Sequence, residues 1–284
     1  MKLILSVEAT CDLTPQLISA YDLTVFDMKY SIDGVEYSTA TDTVQSSGLY
    51  EKMRNGAVTR TSQINENYYE EYFSELSKQG VPIVHVALSS GLSGTVQSAA
   101  LAAELLNREN GSEIYVVDSL CACAGQGLLA VLGRRFAEQA QSAKEVADYL
   151  EKIRWKVQNA FSVDNLRYLA NGGRLKASKA LIGNILKIKP MMYMDNEGHL
   201  AVQYSVISRR KALKEFVKNY AEQRDPSGDL CFISHAGCPE DAEYIREGIL
   251  EKTGVRCEIT DLGPVIGAHS GPGTIAVFYL AKQR

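Results

Sequence analysis

The sequence predicts an α/β protein of two domains, an N-terminal Rossmann-like parallel-sheet domain and a C-terminal mixed α/β domain. Three observations predict it. Through the first half, short apolar runs alternate with amphipathic stretches, the pattern of a parallel sheet with crossover helices. After about residue 158 the texture changes to a hairpin signature followed by a β-α-β unit. The length of 284 residues exceeds most single cores, so two modest domains are expected, at residues 1–158 and 159–284. No repeat or low-complexity linker separates them, so the halves should pack closely.

Residues 3–7 read as a buried first strand, 15–21 as a short helix, and 23–32 and 35–37 as strands joined by the turn Asp33-Gly34. A helix over 47–55 takes Ser46 or Ser47 as its cap, and a helix over 65–78 stops at Gly80. Residues 82–88 form a buried strand, 89–94 a glycine-rich turn and 95–107 an Ala/Leu-rich helix. A strand at 114–117 and helices over 125–139 and 143–157 follow. Beyond the boundary come a short strand at 160–163 and a helix from 166 to 170 that ends at Gly172-Gly173. Strands 189–194 and 200–206 form a hairpin around Asp195-Asn196-Glu197-Gly198. Residues 209–223 read as a helix with Leu213, Phe216, Val217 and Tyr220 on one face. Strand 230–234, helix 240–252 and strand 256–260 make the β-α-β unit, and 274–280 is a last apolar strand.

Composition excludes several function classes. With 30 Lys and Arg against 34 Asp and Glu, the formal net charge is −4. That lacks the basic excess of a nucleic-acid binder. The clusters Arg134-Arg135, Arg209-Arg210-Lys211 and the Lys187/Lys189 pair read as solvated helix ends and turns. No apolar run reaches the roughly 20 residues of a bilayer span. Glu8 and Asp12 interrupt the N-terminal apolar stretch too early for a signal peptide. The six cysteines include no C-x-x-C, and Cys121 with Cys123 is a poor zinc set. Free thiols in a reducing cytosol fit them, so a cytoplasmic location without metal or cofactor is expected.

Three glycine- and hydroxyl-rich segments carry the candidate chemistry. They are Thr59-Arg60-Thr61-Ser62-Gln63, Ser89-Ser90-Gly91-Leu92-Ser93-Gly94-Thr95, and the run from Gly263 to Gly273 that holds His269 and Ser270. The second sits between a buried strand and a helix, where open α/β sheets bind ligands. Helix-terminal N–H groups with the Ser93 and Thr95 hydroxyls suit a small anion such as a carboxylate. No Lys follows, so it is not a nucleotide P-loop. Taken alone, a helix cap explains Ser93, and likewise Thr61, at least as well. The third segment reads as a loop stiffened by two prolines, with His269 in its middle.

A serine hydrolase is the sharp alternative, because Ser93, Asp118 or Asp261, and His269 follow the hydrolase order. Its elbow, however, is G-x-S-x-G, and Thr95 stands at the last glycine. A sugar- or metabolite-binding module is a third reading. Arg174 in Asn171-Gly172-Gly173-Arg174 is either a surface residue at a helix end or a phosphate contact.

The segments TSQ, SSGLSGT, VVDS, NGGRL, a KP before a hairpin, and GPVIGAHSGPG stand in an order and spacing that resemble the DegV family from residue 3 to about 280. The resemblance implies a two-domain fold that binds a long-chain fatty acid such as palmitate between its halves. It implies no enzyme activity, but lipid transport or presentation to the kinase subunit of a bacterial fatty acid kinase. By motif, Thr61 and Ser93 match the carboxylate ligands, with Ser62, Gly94, His269 and Ser270 beside them. Arg174 and His269 match residues implicated in phosphate handling or kinase-subunit contact. The sequence departs from the common T-D-S-T opening at Val7-Glu8-Ala9-Thr10. Each buried CH₂ contributes ~0.8 kcal/mol, so a C16 chain offers on the order of 10 kcal/mol before costs, which favours an internal tunnel. Ile64, Met191, Ile266 and Phe278 are candidate tunnel residues.

Overall fold

A computed structural model describes residues 1–40, 46–175 and 188–283. The caps expected at Ser46 or Ser47, and Lys187, lie outside the described side chains. In chain order the elements begin with β1 (Ile4–Glu8), α1 (Pro15–Ala20), β2 (Leu23–Phe26), β3 (Lys29–Ile32), β4 (Val35–Ser38) and α2 (Ser46–Arg54). Then come β5 (Thr59–Thr61), α3 (Glu66–Ser77), β6 (Ile83–Ala87), α4 (Thr95–Asn110), β7 (Ile114–Asp118), α5 (Ala124–Ala137) and α6 (Ala143–Ile153). The second half holds β8 (Val157–Ser162), α7 (Arg167–Asn171), β9 (Ile188–Met194), β10 (Leu200–Ile207) and α8 (Arg209–Gln223). It ends with β11 (Cys231–His235), α9 (Pro239–Thr253), β12 (Glu258–Asp261), α10 (Pro264–Ser270) and β13 (Ile275–Leu280).

The fold is the mixed α/β class that the sequence predicts. One sheet has the order β2-β1-β6-β7 and is wholly parallel. A six-stranded sheet runs β10-β9-β8-β13-β11-β12, antiparallel except for the β11/β12 pair. Between them lies α5, buried continuously from Ala124 to Gly133. A helix without a polar stripe must be covered on every side, and α5 touches β1 and β6 of one sheet and β8, β11 and β13 of the other.

Alternation along the strands fixes the outer layers. On β1, Leu5 and Val7 join the α5 core, while Ile4 packs with Tyr69 and Phe73 of α3 and Ala99 of α4. On β13, Ala276 and Phe278 face the α5 core, while Ile275, Val277 and Tyr279 pack with α8 and α9. The face of α8 expected from Leu213, Phe216, Val217 and Tyr220 is buried there. All six cysteines are free thiols, five of them buried.

Three expectations need correction. The strand read over 23–32 is two strands in different sheets. The break is at Asp27, whose carboxylate accepts hydrogen bonds from Ser38 Oγ, Thr39 Oγ1 and the Ala40 N–H. This draws the chain out of the parallel sheet and into a three-stranded antiparallel sheet, β4-β3-β5. The helix read over 143–157 stops at Ile153, and one 3-10 turn leads into β8, which starts at Val157 rather than at residue 160. The loop read over 263–273 is a helix, α10, with Pro264 in its first turn and Gly271 at φ 78° closing it. Proline fits a first helical turn, and glycine takes the positive φ that ends the helix.

Candidate functional site

Thr61 ends β5, where it pairs with Tyr30 of β3. It has no capping duty, because Asn65 caps α3 by accepting the Tyr68 N–H at 3.2 Å. Ser93 precedes Gly94, the residue at the α4 cap position. Its Oγ accepts the Thr95 N–H at 3.3 Å and lies 2.6 Å from Thr95 Oγ1, so here a local capping role is partly realised.

His269 occupies the last turn of α10, and its Nε2 lies 2.6 Å from Thr61 Oγ1. Beside it, Thr59 Oγ1 donates to Ala268 O at 3.2 Å, so β5 and α10 are joined twice. The other side of the imidazole meets Gly172 at the end of α7. A Cβ at Gly172 would come within 3.0 Å of His269 Nδ1. Arg174 donates from Nη1 to Gly172 O at 2.6 Å and from Nε to Leu92 O at 3.1 Å. The guanidinium therefore ties the end of α7 to the turn that carries Ser93.

Thr61, Ser62, Ser93, Arg174, His269 and Ser270 all line one cavity. Its empty space, open solvent at the mouth included, is about 860 Å³. Its remaining wall is mostly apolar and includes Met28, Leu88, Phe161, Leu200, Val265 and Phe278. The strand period supplies part of that wall: Ala276 pairs with Phe161 and Phe278 with Asn159, and all four face the cavity.

Burial, helped by the Arg174 charge, lowers the His269 pKa to about 4, so the ring is neutral near pH 7. A neutral imidazole is one donor and one acceptor. Either it donates to Thr61, leaving that hydroxyl to donate elsewhere, or it accepts from Thr61. Ser270 Oγ is buried and has no hydrogen-bond partner among the described residues.

Some expected residues lie elsewhere. Gly94 is not on the wall; a Cβ there would sit 2.6 Å from Gln63 Nε2, so this glycine admits Gln63. Ile266 and Phe278 line the cavity, whereas Ile64 packs in the α3/α4 core and Met191 in the α8/α9 core. Strand neighbours of opposite parity face opposite ways, and the sequence did not show which parity faces inward. Among wall residues the sequence did not single out, Asn159 and Phe161 share a parity on β8, but only the partner sheet shows that it faces a cavity.

The hydrolase arrangement is not assembled. His269 Nε2 meets Thr61. Asp118 accepts the N–H groups of Ser90 and Leu120, and Asp261 lies 3.6 Å from His235. No helix among the described residues is long and apolar enough to cross a membrane.

The chain resembles known proteins over its whole length. The family described as "Uncharacterised protein, DegV family" matches residues 2–282. A DegV domain-containing protein of Clostridium perfringens is 35% identical, covering 100% of this chain and 99% of that protein. A DegV family protein from Thermus thermophilus, described by its fatty acid binding, superposes with a TM-score of 0.87 at 26% identity, over 99% of this chain and 100% of that one. DegV of Bacillus subtilis, described as a fatty acid binding protein, gives 0.83 at 25% identity, over 99% and 100%. Full-length similarity, the shared α/β fold and the motifs gathered around one cavity agree, and the chain belongs to the DegV family.

Proposed function

We propose that this protein binds a long-chain fatty acid, with its carboxylate held by Thr61 and Ser93 and its acyl chain inside the cavity. The observation that carries this reading is that two hydroxyl residues 32 positions apart line the same largely apolar cavity. Acyl burial drives binding at ~0.8 kcal/mol per CH₂. The carboxylate still needs donors, since a buried anion without them is costly. The hydroxyls and the amides that open α4 supply them. The fatty acid binding described for the relatives of Thermus and Bacillus supports the same reading.

The chain does no chemistry alone in this reading. It carries the lipid in the cytoplasm and presents the carboxylate to a separate kinase subunit, with Arg174 and His269 at the exit. Organic extraction and mass spectrometry of the purified protein test the ligand: a C14–C18 acid is expected, and its consistent absence with no rebinding of palmitate refutes the proposal. The double variant T61A/S93A should weaken palmitate binding about a hundredfold or more while staying folded, from two hydrogen bonds to a charged group at about 1.5–3 kcal/mol each.

A further inference from the structure

Glu8 and Ala9 stand at the C-terminal end of β1. Neither residue lines the cavity. Glu8 ends β1 and is wholly buried. Its Oε1 accepts from Tyr69 OH of α3 at 2.5 Å. Its Oε2 accepts the Leu88 N–H at 2.6 Å, Gln126 Nε2 at 3.2 Å and Thr10 Oγ1 at 3.4 Å. The imidazole of His85 stands 3.8 Å away and continues through Ser6 to Tyr72 OH. Burial pushes the Glu8 pKa up, but His85, Tyr69 and Leu88 outweigh it and hold it below the usual value. The group is a buried carboxylate anion.

Two of these donors belong to the cavity's own framework. Leu88 lines the cavity and leads directly into the turn that bears Ser93. Gln126 stands in the first turn of α5, just after the wall residues Ala122 and Cys123, and its Nε2 also donates to Val86 O at 3.0 Å. One anion thus joins the end of β6 to the start of α5. Leu88 follows the last residue of β6, and the carboxylate receives its N–H. Charge-assisted hydrogen bonds fix direction as well as distance. For stability alone, an apolar filling of the same volume often serves as well as buried ions.

We propose that Glu8 is a positioning residue that sets the 88–95 turn, and so Ser93, for the carboxylate. This rests on the cavity being a fatty-acid site. An aspartate would draw the carboxylate back by about 1.5 Å, one C–C bond, and lose contact with Leu88 and Tyr69 unless the backbone moved. A glutamine keeps the length but turns an N–H₂ toward donors.

The test uses full-length wild type, E8Q, E8D and, as a stability control, I245V on the far side of the second sheet. Palmitate titration is paired with hydrogen exchange of the ligand-free proteins. The expected result is at least a tenfold rise in Kd for E8Q, equal for C14 to C18 acids. At least tenfold faster exchange should be confined to residues 88–95 and 122–127, and neither change should appear in I245V. E8D is expected to follow E8Q and replaces it if E8Q does not fold. A folded Glu8 variant with wild-type Kd overturns the proposal, as does exchange that quickens evenly along the chain. If wild type binds no palmitate, the fatty-acid reading fails by itself. Exchange then decides: local quickening supports Glu8 as the anchor of the turn, and its absence overturns it.

Discussion

Replacing Gly172 by alanine separates fold from ligand grip. Gly172 has φ −75° and ψ −9°, an ordinary right-handed conformation that alanine adopts without strain. Alanine in a helix is favoured over glycine by up to about 1 kcal/mol, so the backbone gives no reason for instability. The added Cβ, however, would come within 3.0 Å of His269 Nδ1, where real Cβ contacts essentially never occur. The ring cannot retreat straight back, since Thr61 Oγ1 already lies 2.6 Å from Nε2 on its other side. It must tilt, and the bond to Thr61 breaks. A net hydrogen bond is worth about 0.5–1.5 kcal/mol, so loss of the orientation of Thr61 should raise the palmitate Kd roughly tenfold at most. Isothermal titration reads that change, and thermal unfolding should show a midpoint within a few degrees of wild type. An unchanged Kd with the His269 ring resonances shifted would refute the idea that this imidazole orients Thr61.

Three further outcomes are expected. Burial, aided by the Asp261 charge, pushes Asp12 up to about 7, and the Cys123 thiol and Gly263 N–H offset it only in part. Between pH ~4 and 7 the folded chain therefore keeps a proton that the unfolded chain has lost, and stability falls as pH rises through that window. D12N should remove the fall and be more stable than wild type at pH 8 by on the order of 2–4 kcal/mol; Asp12 sits at φ 49°, which asparagine tolerates. Equal stability differences at pH 5 and pH 8 in urea melts would sink this. His269 should stay neutral down to about pH 5 in an NMR titration, given its pKa of about 4, and a midpoint near 6.5 would contradict its burial. G91A should cost roughly 2–3 kcal/mol, because its Cβ would meet the backbone of Glu197 and Gly198, where Ser89 Oγ donates to Gly198 O at 2.8 Å. A melting temperature equal to wild type would show that the hairpin turn does not dock there.

Local patterns made most of the fold legible. The helix over 209–223 was readable to the residue, since its apolar period is strong and Ser208 caps it by accepting the Lys211 N–H. The helix read over 125–139 is present as α5, at 124–137, but its place between the two larger sheets came only from the structure. Where the sequence misled, a distant partner had decided. Asp27 splits one apparent strand by collecting donors from residues 38–40. The run from Gly263 to Gly273 looks like a loop because four glycines lower helix propensity, yet Gly267 lies in a helix pressed against Tyr50, leaving no room for a side chain.

The site divides in the same way. Motif order joined Thr61, Ser93, Arg174 and His269; by local chemistry Thr61 and Ser93 were better read as helix caps, Arg174 was open between a surface residue and a phosphate contact, and only His269 in its Gly/Pro segment already pointed to a site. The sequence by itself determined the mixed α/β class, because period and apolar content act within a few residues. Only the tertiary structure decided which strand faces meet across α5, that His269 stands between Gly172 and Thr61, and that Glu8 serves the turn from behind rather than from within the cavity. Those contacts span about 80 to 208 positions of chain, and no local pattern encodes so long a reach.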